Sequence, residues 1–95
     1  MAFGEVGADL LSVSAHKVGG PVGIGALLVR RGVALRPPGL GGGQEAGLRS
    51  GTVGVALAAG FAAALHEAVA ELPTETTRLE GLRRVLLAGL LAVPG

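Results

Sequence analysis

Seven of the eight basic residues are arginine, and the one lysine, Lys17, stands where an amine could do chemistry. It falls in Ser14-Ala15-His16-Lys17-Val18-Gly19-Gly20-Pro21, between an apolar run and a glycine-rich turn. Unlike a guanidinium, an ammonium can lose its proton and attack a carbonyl. Desolvation or a neighbouring cation lowers its pKa and enlarges the nucleophilic fraction. His16, beside it, belongs to the residue type whose titration range suits proton transfer. Ser14 places a hydroxyl three residues back. On spacing alone, a solvated loop lysine and a hydrogen-bonded structural histidine are the commoner outcomes for such residues. The second histidine, His66, reads as a polar position on a helix.

A second stretch, Gly41-Gly42-Gly43-Gln44-Glu45-Ala46-Gly47-Leu48-Arg49-Ser50-Gly51-Thr52, leads toward a helical segment. Glycines let backbone amides approach an anion, and a helix start adds partial positive charge. Arg49, Ser50 and Thr52 are further donors, so the stretch is a candidate phosphate cradle, although many such loops are only tight turns. Two nucleotide fingerprints fail. Gly41-x-Gly43-x-x-Ala46 fits a relaxed dinucleotide pattern, but Arg36-Pro37-Pro38-Gly39-Leu40 precedes it instead of a strand. A P-loop needs Gly-Lys-Ser/Thr, and Lys17 is followed by valine.

The elements that must position these residues follow from a change of composition near Gly51. Residues 1–51 hold 13 of the 18 glycines, with short apolar runs between them. Strands are expected at 9–13 and 24–30, close neighbours joined by a loop too long and too rich in glycine for a tight hairpin. The unbroken apolar run at 24–29 suits a strand covered on both faces. Residues 52–95 are rich in alanine and leucine. Thr52 is the expected N-cap of a first helix, with Leu57, Phe61, Leu65 and Val69 on one face. Pro73 should end it. A second helix is expected from about 74–76, with Leu79, Leu82, Leu86 and Leu90 inward.

Ninety-five residues make one small domain at most. A formal net charge of +1 leaves no footprint for nucleic acid or an anionic membrane. The absence of cysteine excludes a disulfide framework, a thiolate zinc site and a cysteine nucleophile within the chain. The longest apolar run, 53–65, is shorter than the roughly 20 residues a bilayer needs. No basic n-region precedes an apolar run at the amino end. The expectation is a soluble cytoplasmic protein.

Together these motifs resemble the cysteine desulfurases, pyridoxal-phosphate enzymes of the class V aminotransferase group. The resemblance runs from about Ala8 to Phe61. It rests on Asp9-Leu-Leu-Ser-Val-Ser-Ala-His-Lys17, on Gly20-Pro21-x-Gly23-Ile-Gly25-Ala-Leu, and on Gly41-Gly-Gly-Gln-Glu45 with Arg49-Ser-Gly-Thr52, in family order and spacing. It implies an α/β fold, a fragment of the fold-type-I large domain covering residues 1–95, with a strand-and-loop cofactor segment at 1–51 and a helical segment at 52–95. It also implies pyridoxal 5'-phosphate as cofactor, Lys17 as the Schiff-base lysine, His16 as the neighbouring catalytic and cofactor-contacting histidine, and Ser14 as a phosphate ligand. Thr52 would reach the phosphate held by the other subunit of a homodimer. The implied reaction converts L-cysteine to L-alanine, with persulfide sulfur passed to an iron–sulfur scaffold or another acceptor.

Two departures from the family pattern stand out. Ala46 occupies a position usually held by arginine, and Val22 one often held by lysine. In the family, the carboxylate beneath the pyridine nitrogen and the ring-stacking aromatic precede this segment, while the persulfide-forming cysteine and the substrate-carboxylate arginine follow it. The expectation is therefore an internal piece of a longer enzyme, inactive alone. Two alternatives stay open: another class V enzyme such as a selenocysteine lyase, and a non-catalytic remnant whose apolar helices form an association surface.

Overall fold

The computed structural model describes residues 3–36, 39 and 41–94. Strand β1 (Leu10–Ser14) pairs antiparallel with β2 (Gly25–Val29), in a register running from Leu10↔Val29 to Ser14↔Gly25. The ladder continues past both ends. The Arg30 N–H donates to the Asp9 carbonyl at 2.8 Å, and the Ala15 N–H donates to the Ile24 carbonyl at 3.1 Å. An ion pair between Arg30 and Asp9 at 3.2 Å closes the outer end. Ser14 therefore finishes the strand, one residue beyond the expected end at 13.

This register requires a glycine at one point. A Cβ on Gly25 would come within 2.6 Å of the Val13 carbonyl oxygen, closer than real side chains approach backbone. The strand expected to be covered on both faces is open here: Leu27 is 53% exposed. The sheet has two strands, and among the described residues no third layer covers β2.

The glycine-rich stretch is not an irregular loop. Strand β3 (Gly43–Gln44) pairs with β4 (Arg49–Ser50) as a short hairpin. Its turn holds Glu45 and Ala46 at φ 51° and 56°, followed by Gly47 at 80°. The Gly47 N–H donates to the Gln44 carbonyl at 3.0 Å and the Leu48 N–H to the Glu45 carbonyl at 3.1 Å. The loop, residues 45–48, turns the chain back through three consecutive left-handed residues, a conformation that glycine adopts freely and that Glu45 and Ala46 hold at a cost.

One helix follows, α1 (Val55–Leu91), where two were expected. Thr52 is not its cap. The Ala58 N–H donates to the Gly54 carbonyl at 3.0 Å, so the helix begins three residues beyond Thr52. Pro73 lies inside α1. Proline in a helix interior costs about 3 kcal/mol, yet its fixed φ is itself helical. The carbonyl that Pro73 deprives of a donor, that of Val69, belongs to an exposed residue. The helix therefore runs through.

Clustering of contacts separates two units, Met1–Leu65 and His66–Gly95. In the first, the buried apolar residues are Ala15, fully buried, and Phe61, 6% exposed. Gly60 lets α1 approach the Gly20-Pro21 turn: a Cβ there would stand 3.3 Å from Pro21 Cγ. In the second unit, Leu79, Leu82, Leu86 and Leu90, expected to face inward, are each more than half exposed, and α1 is the one regular element among that unit's described residues. The membrane argument from run length also needs correction. Charged residues interrupt the apolar run, yet α1 is long and apolar enough, by length and composition, to cross a bilayer, with an 18-residue window of mean hydropathy 1.5.

Candidate active site

The candidate chemistry sits where β1 ends. Ala15–Val18 form one 3₁₀ turn carrying His16 and Lys17. Its anchor is Ala15, fully buried, whose N–H is held by Ile24 and whose carbonyl accepts the Gly20 N–H at 2.8 Å. Gly19 closes the turn at φ 77°, a left-handed cap position that costs glycine nothing. Gly20 is equally constrained, since a Cβ there would lie 3.0 Å from the Ala15 carbonyl oxygen and 3.1 Å from its methyl. With Ala15 held inward, His16 and Lys17 are exposed on the same turn. Neither makes a side-chain hydrogen bond or ion pair among the described residues. Ser14 occupies the cap position of the turn, but its hydroxyl makes no capping bond. An amine, an imidazole and a hydroxyl therefore stand within four residues, all uncommitted.

Beside this turn is a concavity of about 880 Å³. Ser12 and Ser14, two residues apart on β1, both line it, as do Val13, Leu27 and Val29. The far side comes from the hairpin and the start of α1, including Glu45, Leu48, Arg49 and Phe61. Arg36 adds a second guanidinium. The concavity is thus largely apolar, with two serine hydroxyls, two cations and one carboxylate at its margin.

Of the four residues singled out by sequence, Ser14 lines this space, whereas His16, Lys17 and Thr52 do not. Thr52 is exposed on the segment between β4 and α1. That segment is steadied by Arg49, whose Nη1 donates to the Gly51 carbonyl at 2.9 Å. Sequence reasoning missed Ser12, Arg36 and the placement of Glu45. The alternation Ser12-x-Ser14 was a usable signal, because residues two apart on a strand share a face. Glu45 lay within the glycine-rich stretch, but its place at the margin, in a left-handed turn, was not read from the sequence.

Two antiparallel strands joined through a lysine-bearing turn, a glycine-shaped hairpin and a long helix define a segment of an α/β enzyme large domain. The class V aminotransferase family profile matches residues 1–95 in full, and the chain belongs to that family. Among its relatives, an IscS-like cysteine desulfurase of Mycobacterium tuberculosis is 50% identical over 90 residues, which cover 95% of this chain and 23% of that protein. Cysteine desulfurase IscS 1 of Archaeoglobus fulgidus is 44% identical, over 94% of this chain and 23% of its own length. The mitochondrial cysteine desulfurase of Saccharomyces cerevisiae is 47% identical, over 93% and 18% respectively. A solved NifS-like protein superimposes with a TM-score of 0.85 at 44% identity, covering 96% of this chain and 25% of that one. The chain thus spans about a quarter or less of the length of these relatives. Its fold is that of a segment of the NifS-like fold, and α1 is an element of that match.

Proposed function

We propose that residues 1–95 are the lysine-bearing segment of a pyridoxal-phosphate-dependent cysteine desulfurase. The observation that carries the reading is Lys17, the single lysine, on the turn that closes β1, in a chain 41–50% identical to several proteins named cysteine desulfurase.

The donor set fits an aldehyde phosphate. Lys17 Nζ is free to bind the aldehyde carbon, and the Ser14 hydroxyl, unused as a cap, is free to donate to the phosphate. When bound, the coenzyme supplies an electron sink for charge developing at the substrate α-carbon. The Lys17 amine would take and return a proton at that carbon. The His16 imidazole, adjacent on the same turn, holds a proton next to the reacting centre. Thr52, following the Arg49–Gly51 contact, is the donor offered to a partner subunit's phosphate. Overall, L-cysteine and a protein thiol yield L-alanine and a persulfide, whose outer sulfur passes toward iron–sulfur cluster assembly. The chain contains no cysteine, so the thiol comes from elsewhere and these residues alone do not turn over.

The test is cofactor capture. Incubation with pyridoxal phosphate followed by borohydride should attach one phosphopyridoxyl group to the wild-type chain, mapped by peptide mass spectrometry to Lys17. Lys17→Arg should remove it. Equal labelling of the variant, or none of the wild type, overturns the reading.

A further inference from the structure

We propose that α1 carries a built-in hinge at Leu72–Thr77, where the helix opens and re-closes as two arms. Four observations within the second unit meet there. Pro73 removes the donor that the Val69 carbonyl would receive, and it disfavours the helical conformation that Leu72 nevertheless holds. The Thr76 hydroxyl donates to the Leu72 carbonyl at 2.7 Å and the Thr77 hydroxyl to the Pro73 carbonyl at 3.1 Å, a pattern of back-bonding that bends helices. Of the ion pairs along α1 among the described residues, Arg78–Glu75 ties the end of the joint to the distal arm and Arg84–Glu80 lies wholly beyond it, so neither spans Pro73 itself. Finally, among the described residues, Leu72 and Leu79 on either side of this stretch are 57% and 51% exposed.

The sequence also provides for the open state. Thr77-Arg78-Leu79-Glu80 is a capping box, a hydroxyl followed three residues later by a carboxylate, which can satisfy the N–H groups of a newly exposed helix start. Thr76 and Thr77 thus serve both states: their hydroxyls bond carbonyls of the preceding turn when the helix is closed, and Thr77 becomes a cap when it opens. The consequence is a distal arm bearing Leu79, Leu82, Leu86 and Leu90 that changes direction as one body.

Because the chain has no cysteine, Glu67→Cys with Arg83→Cys places two spin labels without interference, one on each side of the joint. A straight helix separates these positions by about 24 Å of axial rise. The expected pulsed-EPR distribution has a main component near that length and a second, shorter one, which Pro73→Ala removes. A single narrow component, the same with and without the proline, overturns the proposal. Amide exchange on the unlabelled chain reads the same joint independently of the variants. Exchange at Thr74–Thr77 should run at least about tenfold faster than at residues 82–88, as for a locally opening unit, and uniform exchange along α1 overturns the hinge.

Discussion

The turn at the end of β1 and the distal half of α1 are built on opposite principles. The turn is over-determined: Ala15 is buried, its two backbone groups are bonded to Ile24 and Gly20, and Gly20 and Gly25 each fill a space where a Cβ would strike backbone. The distal helix is under-determined, with its leucines open to solvent and its order resting on local hydrogen bonds and two surface ion pairs. Chemistry needs the first arrangement. A reactive amine must be held within a narrow geometry, and backbone that can adopt only one path does this at a cost in sequence freedom. The helix accommodates an internal proline.

The contrast can be broken from either side. Pro73→Ala should have the largest effect, stabilising α1 by about 3 kcal/mol if helix propensity governs it, measured as gained helical ellipticity and a raised melting temperature. No gain would mean that unseen packing already holds the distal helix. From the other side, Gly25→Ala should cost about 2 kcal/mol, because its methyl, 2.6 Å from the Val13 carbonyl oxygen, forces the strands apart. Urea titration monitored at the β1–β2 amides would show it. Gly81→Ala, where a Cβ meets nothing within 4 Å, is the control and should stabilise by up to about 1 kcal/mol.

These same features decide what could be read from sequence. The strands at 9–13 and 24–30 were legible within a residue or two, because short apolar runs bounded by glycine have few other uses. Lys17, His16 and Ser14 stood out as candidates because a lone lysine in a glycine-rich setting is conspicuous, and of the three Ser14 lines the concavity. The β3–β4 hairpin was not, since its turn depends on left-handed backbone at Glu45 and Ala46, residues that carry no turn signature. The helix break at Pro73 was expected from a local rule that a continuous hydrogen-bonded ladder on both sides overrides. Thr52 failed as a cap because cap preference says only which residue can start a helix, while Gly54, lacking a side chain to offer, is the residue where this one starts.

That hairpin supplies the third perturbation. Ala46 holds φ 56°, a conformation that costs an alanine about 1 kcal/mol. Ala46→Gly should recover part of that, offset by the entropy glycine loses on folding, for a net gain of at most a few tenths of a kcal/mol in thermal denaturation. A loss instead would show that the methyl contributes packing that outweighs the strain, and would move the hairpin from the strained to the ordinary class of turn.

The smallest expected effect tests the distal helix through its charges. Two hydrogen bonds from Arg78, at 2.5 and 2.7 Å, hold the Glu75 carboxyl below its ordinary value of 4.5, the Coulombic attraction of the same guanidinium adding to them. A carboxyl with a depressed folded-state pKa contributes stability that is complete above its unfolded value and is lost as pH falls through the folded one. Helical ellipticity should therefore hold steady from neutrality to about pH 5 and decline below it. Glu75→Gln should flatten that part of the profile and leave the contributions of the other acidic residues. Because the pair is solvent-exposed, raising the salt to about 1 M should shrink the difference between the two chains, as screening acts within a few ångströms. A difference that survives high salt would assign the effect to the hydrogen bonds themselves, and the distal helix would then be held by fixed geometry as the turn is.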